Sequence, residues 1–374
     1  MLLSKILPGT GRGTAPEERG GGGPPQGISV WRAPSTKLRL VPSAGLAMPR
    51  MAKDRAGHDP ARRSVPGRIL GALAAALFSF PALAAPGNVA IADTAVFPES
   101  IAADAAGNLY AGSINGVIYR AVAGSDKAER WITPDETNKL LWVLGVLAHD
   151  GSNTLWVCTS PAPFLTPPKN GDAAAVAFDL KTGALKARHV LPAPATCNDI
   201  TVGRFGKVYI AETAGGRIFS IAPDAKDVKL EVQDPALVGI DGISFDGTDT
   251  LYANNTRQDT MLRVNRDASG NYQSLTRLNV SSPLKGPDGL RPYKDNVLLQ
   301  AETGSSRAAL ITITGDEAQV KVIDADTGGS AAITHIGDTA YVAAGKIQYL
   351  FDPKFRGQDP GPFVLKAVPI GSTK

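Results

Sequence analysis

Four residues of this 374-residue chain combine a type and a spacing that could do chemistry. Glu99, Asn198, Asp241 and Asp288 each open a short apolar run. Each stands eleven residues before a large apolar residue: Tyr110, Tyr209, Tyr252 and Leu299. Two weaker copies share the spacing, Gly145 with Trp156 and Ser330 with Tyr341. Asp, Glu and Asn make up 48 of the 374 residues, about one in eight, so four in six at one repeated position is an excess. Part of it reflects the general preference of turn-adjacent positions for Asp and Asn. Three carboxylates converging on one point repel each other unless a cation sits among them. An all-oxygen set suits a hard divalent ion, Ca²⁺ first and Mg²⁺ or Mn²⁺ next. Without imidazole or thiolate, zinc is a poor match. The bland alternative is a metal or water cluster that only ties strands together.

For these residues to meet, the elements that carry them must come round to a common axis. The copies begin 42 to 53 residues apart. Each unit reads as four short strands; in the first, Ser100–Asp104, Leu109–Gly112, Gly116–Arg120 and Arg130–Thr133. In the third they are Ile200–Gly203, Lys207–Ala211, Gly216–Ile221 and Val228–Val232. Later outer strands are expected at Gln273–Val280, Ala318–Ile323 and Phe363–Ile370. No sustained helical period occurs. A repeat of roughly 40–50 residues with four strands per unit is the signature of a β-propeller. The fold class expected is all-β, a six-bladed β-propeller over 85–374. Its ring of inner-strand heads would be Glu99, Gly145, Asn198, Asp241, Asp288 and Ser330. Either Asn88–Ala92 closes the sixth blade, or Phe363–Ile370 does so alone.

Before the repeats, residues 1–61 are rich in Gly, Pro and Arg and carry no sustained period. They read as a disordered extension or as sequence upstream of a start at Met48 or Met51. Residues 62–84 have the shape of a secretory signal: Arg62, Arg63 and Arg68, the twelve-residue apolar run Ile69–Phe80, then Ala82-Leu83-Ala84 as a small-x-small cleavage site. A periplasmic or secreted location is expected, with no membrane attachment after cleavage, since a spanning helix needs roughly 20 apolar residues. The formal charge of +4 belongs to this leader; residues 85–374 hold 27 basic and 31 acidic groups. No clustered basic face is visible, so a nucleic-acid partner is not expected. The expected partner is a small-molecule substrate, and the expected state is a monomer.

The chain resembles a family, the six-bladed propellers of the senescence-marker, gluconolactonase and luciferin-regenerating type. The resemblance runs over most of 96–351. It is carried by Pro98-Glu99-Ser100-Ile101-Ala102-Ala103-Asp104, Cys197-Asn198-Asp199, Ile240-Asp241-Gly242-Ile243 and Pro287-Asp288-Gly289-Leu290. It implies that Glu99, Asp241 and Asp288 hold a divalent metal and that Asn198 contacts substrate. It also implies hydrolysis of a lactone or related ester; with the leader, an exported hydrolase is expected, and if the site is catalytic Asp288 is the candidate general base with Asp241 as the alternative. This chain departs from the pattern in having Ser100 after Glu99, Ile200 after Asn198-Asp199, and Asp241 where many members have Asn. Two rival readings remain. One is a non-catalytic propeller that binds a small ligand or protein partner at its channel mouth. The other is a lyase or condensation reaction on the same scaffold.

The remaining candidates carry less. His149, His189 and His335 occupy no ring position and share no ligand-like spacing. No G-x-S-x-G elbow occurs. Cys158 and Cys197 fall on adjacent blades and are either a disulfide or two buried thiols. The Pro-rich stretch 159–173 is a stiff surface loop or a lid beside the channel, with Phe164 and Leu165 as its apolar contacts. Tyr110, Trp156, Tyr209, Tyr252 and Tyr341 read as inter-blade packing.

Overall fold

Each repeat folds because a run of alternating β-formers is broken every few residues by a turn with its own hydrogen-bond chemistry. In the first, Asp104 Oδ1 accepts from the Asn108 backbone N–H at 2.8 Å, and Gly107 takes the left-handed conformation (φ +85°) that the return requires. In the fourth, Asp246 Oδ1 accepts from the N–H groups of Thr248 and Thr250, both at 2.9 Å. The computed structural model describes residues 87–355 and 357–371. The expected extension lies outside them, and so does the expected signal segment. Among the described residues, no helix is long and apolar enough to cross a membrane.

The protein is an all-β, six-bladed propeller. The inner strands are Pro98–Ala103, Trp142–His149, Cys197–Val202, Ile240–Phe245, Pro287–Lys294 and Ser330–Ile336. Each neighbours the next, and the sixth returns to the first, so the ring is closed. Blades 2 to 4 are antiparallel four-stranded sheets built in chain order, and blade 5 adds to its four strands a short fifth, Asn279–Val280, which pairs in parallel with Glu317–Asp324. Blade 6 takes its outermost strand from the other end of the chain. Val89–Ile91 pairs antiparallel with Val364–Pro369, and on its far edge it pairs in parallel with Lys127–Ile132 of blade 1. The stretch around Asn88–Ala92 is therefore the closing strand. Phe363–Ile370, expected as an outer strand, is instead the third strand of its blade.

Apolar side chains pack between blades rather than within one globular centre. Tyr110 of blade 1 is fully buried, with Val143 and Val157 of blade 2 in the same cluster, and its hydroxyl reaches the Leu180 carbonyl of blade 2 at 3.4 Å. Tyr209 faces Phe245 of the next blade edge-on, centroids 5.4 Å apart. The repeated aromatics thus serve inter-blade packing, as their spacing suggested. Cys158 on the second strand of blade 2 is disulfide-bonded to Cys197 at the head of blade 3, which settles the pairing left open by the sequence.

Candidate functional site

At the head of every inner strand the pairing register with the second strand breaks by one residue. In blade 1 Pro98 faces Ser113 and Ser100 faces Gly112, so Glu99 is the extra residue; in blade 3 it is Asn198. In blades 4 and 5 the break spans Asp241-Gly242 and Asp288-Gly289. A bulge leaves one residue unpaired and re-aims its side chain, which is how four blades turn these groups towards a common centre.

In the other two blades the bulged residue is not the one expected. Blade 2 breaks at Leu144 and blade 6 at Ala331. The ring is Glu99, Leu144, Asn198, Asp241, Asp288 and Ala331. Gly145 and Ser330 are one residue out of register. The cause lies in the turns. Blade 2 carries an extra residue through the 3₁₀ turn Asp150–Ser152, and blade 6 turns tightly between Ile336 and Thr339. A spacing of eleven therefore marks the ring in four blades only. Gly145 serves a different need: a Cβ there would lie 2.4 Å from the Asn198 carbonyl oxygen of the next blade. Gly242 meets Asp288 O at the same 2.4 Å. Ser330 donates to the Glu302 and Arg307 carbonyls, away from the ring.

The polar ring members are buried and in contact. Asn198 Nδ2 donates to Asp241 Oδ2 at 3.2 Å and to Thr213 Oγ1 at 2.9 Å. Asp241 and Asp288 stand side by side, and their interaction favours the charged form of Asp241 and the neutral form of Asp288. Glu99 Oε2 is buried and has no hydrogen-bond partner. Burial, then the Asp241 charge, pushes the Glu99 carboxyl up to about 8. Burial lifts Asp241 to about 6, against contacts with Asp288, Thr256 and Asn198 that favour its charged form. Asp288 is raised well above the carboxylate range by burial first, then by Asp241 and Glu99. This is the signature of carboxylates forced together in a low dielectric. Among the described residues, no three His, Cys, Asp or Glu side chains already surround a common point as a coordination sphere. The donor chemistry still fits a hard cation: three carboxylates, an unpaired buried acceptor and no soft ligand.

Two features were missed in the sequence. The first is a series of hydroxyls just past the second strands. Ser160, Thr213, Thr256 and Thr303 donate to the carbonyls of Cys197, Ile240, Pro287 and Ser330, each the residue before the next ring member. Thr256 Oγ1 also lies 3.0 Å from Asp241 Oδ2, and Thr303 Oγ1 sits against Asp288 Oδ2. These threonines follow Asn198, Asp241 and Asp288 by fifteen residues, a repeat that was there to be read. The second is Arg291, three residues along the inner strand from Asp288. It forks onto Asp199 (2.7 and 2.9 Å) and donates to the Val146 carbonyl at 2.9 Å. Blades 5 and 2 stand opposite each other, so this contact crosses the axis.

The histidines lie elsewhere. His189 reaches the Lys226 carbonyl, and His335 packs edge-on to Tyr293, 5.2 Å between centroids. Phe164, in the Pro-rich stretch, stacks against Trp142 at 5.4 Å and Phe351 at 5.1 Å, beside the ring.

A family model described as strictosidine synthase-like, N-terminal, matches residues 82–121. No curated protein matches the chain. Among solved structures, a luciferin-regenerating enzyme superposes with a TM-score of 0.55 at 15% identity, over 76% of this chain and 93% of its own. A gluconolactonase from Xanthomonas campestris gives 0.52 at 16% identity, over 74% and 87%. Regucalcin from Agrobacterium tumefaciens, described as a calcium-binding protein, gives 0.52 at 18%, over 76% and 94%. The likeness is one of fold, and it agrees with the resemblance carried by the ring motifs.

Proposed function

We propose that this protein is a hydrolase of lactones or related esters that works with a divalent cation at the mouth of the propeller channel. The observation that carries the reading is the buried convergence of Glu99, Asp241 and Asp288, with Glu99 Oε2 unpaired. The gluconolactonase, luciferin-regenerating enzyme and regucalcin folds support it. Glu99, Asp241 and Asp288 would hold the ion, Ca²⁺ ahead of Mg²⁺ or Mn²⁺. When bound, such a cation supplies Lewis-acid polarisation of the carbonyl.

The chain's own residues account for the rest. With a cation beside it Asp288 would be ionised, and it would then take the proton of the attacking water as general base. Water's oxygen bonds to the carbonyl carbon, the ring C–O bond breaks, and the leaving oxygen takes the proton back. Asp241, beside Asp288, is the alternative base. Asn198, with both N–H groups held by Asp241 and Thr213, has its Oδ1 left to orient substrate. Export to the periplasm or medium accords with the disulfide, which persists in oxidising compartments.

Metal analysis and a lactone panel, with and without chelator, test this. Chelation should abolish turnover and Ca²⁺ restore it, while Asp288→Asn should lower kcat by about 10²–10⁴-fold. Full activity in chelator, or in Asp288→Asn, overturns the reading. One rival is a propeller that binds a small ligand without turnover. Metal binding with no lactone hydrolysed would select it.

A further inference from the structure

The ring has two unlike halves. Blades 3, 4 and 5 contribute Asn198, Asp241 and Asp288, backed by Thr213, Thr256 and Thr303. On the other side Leu144 and Ala331 flank Glu99, and the position that matches the threonines is Ile114 in blade 1. Leu144 is buried in one continuous apolar cluster with Phe97, Ile114 and Trp142, against which Leu165 and Leu350 also pack. Phe97, Ile114, Leu165 and Leu350, with Leu141, line a cavity of about 550 Å³ on this face. That volume is in the range of small-molecule sites, roughly 300–1,000 Å³.

Two polar side chains on the wall, Lys169 and Asn115, are already engaged, and two more, Thr166 and Asn170, are exposed. Lys169 Nζ donates to the Asn115 carbonyl at 3.2 Å, and Asn115 Nδ2 donates to the Ala95 carbonyl at 2.9 Å. What Lys169 and Asn115 offer the cavity is mainly aliphatic stem. The loop that carries Leu165 is fastened at its base, where Ala162 and Lys169 bridge, and its tip is held by the Phe164 stack on Trp142 and Phe351. A polyhydroxylated lactone placed against Phe97, Ile114, Leu141, Leu165 and Leu350 would bury hydroxyls against apolar side chains that offer no partner. An alkyl chain would gain by leaving water.

We infer that the site takes a lactone or ester bearing an extended apolar substituent, which lies in this cavity while the carbonyl faces Asn198, Asp241 and Asp288. The inference rests on the hydrolase reading for the reaction but not for the cavity, and two measurements separate them. The first is kcat/KM on γ-lactones with alkyl chains of increasing length, with a polyhydroxylated aldonolactone as comparison. The second is binding of a fluorescent probe, 11-(dansylamino)undecanoic acid, which involves no turnover.

Specificity should rise roughly four-fold per methylene (about 0.8 kcal/mol) until the cavity is full, and the aldonolactone should be the poorest substrate. Leu165→Asp should flatten the chain-length dependence to under two-fold per methylene and weaken the probe at least ten-fold. Leu165→Trp, which narrows the cavity without adding charge, should shift the optimum to shorter chains. Probe binding that Leu165→Asp weakens, with no lactone hydrolysed, keeps the cavity assignment and sinks the hydrolase reading. Hydrolysis that prefers the aldonolactone, without probe binding, does the reverse. Neither binding nor hydrolysis overturns both.

Discussion

Glu99 is the ring residue with the least compensation. Its Oε2 has no donor, whereas Asp241 is within reach of Thr256 and Asn198. Without a cation the cluster is comfortable only when protonated, and that has a pH consequence. Carboxyls of unfolded chains titrate near 4. Here the folded-state values stand above the unfolded ones, Asp241 at about 6 and Glu99 at about 8. The metal-free fold thus holds more protons than the unfolded chain from roughly pH 4 to 8, and its stability falls as pH rises through that window. In chelator, the urea midpoint should drop as pH rises from about 4 through 8. Glu99→Gln should flatten the upper part of that slope, and excess Ca²⁺ should remove most of it. A midpoint that climbs with pH in chelator would refute the assignment. At this scale the sequence was legible where a residue type recurred at a fixed offset. Asn198, Asp241 and Asp288 were visible that way. Thr213, Thr256 and Thr303 recur just as regularly but were passed over, because a lone threonine is common and carries no charge.

At the scale of elements, the bulge at each inner-strand head matters more than the strands themselves. A one-residue slip moves every side chain to the other face. Two hairpins, one longer and one shorter than the rest, were enough to misplace Gly145 and Ser330 for Leu144 and Ala331. That error had content, since the residues actually at those positions are apolar and flank Glu99. The disulfide belongs to this scale too. It ties the second strand of blade 2 to the head of blade 3, one residue before Asn198, and closes a loop 39 residues apart in sequence. Cross-linking a loop of that length restricts the unfolded chain by about 2–4 kcal/mol. Paired Cys158→Ala and Cys197→Ala should lose that much in denaturant unfolding while leaving the blade count, and hence the far-ultraviolet signal, unchanged. A loss below about 0.5 kcal/mol would show that the bond contributes little beyond packing.

For the whole molecule, closure is achieved twice. Val89–Ile91 joins blade 6 to blade 1 at the rim. Arg291 joins blade 5 to blades 2 and 3 at the axis. Arg291 and Asp199 are both nearly inaccessible, at 5% and 4% exposure, so each depends on the other for compensation. Removing one partner of a buried pair costs about 3–5 kcal/mol, because the other is left charged and unpaired. Arg291→Met should show a loss of that size in urea unfolding, and adding Asp199→Asn should recover a large part. A single variant as stable as the parent would mean that water or a relaxed side chain replaces the contact.

The sequence by itself determined the repeat, its strand content and the oxygen-only character of the ring, because these follow from residue type and local period. It also carried the resemblance to a propeller family whose fold the structure shares. Only the tertiary structure decided the register in blades 2 and 6, the strand that closes blade 6, the disulfide and the Arg291–Asp199 contact. Each depends on which residues meet after the chain has gone round the axis, with separations of 39 residues for the cysteines and 92 for the ion pair. Local propensity does not encode such encounters, and a turn one residue longer or shorter changes them.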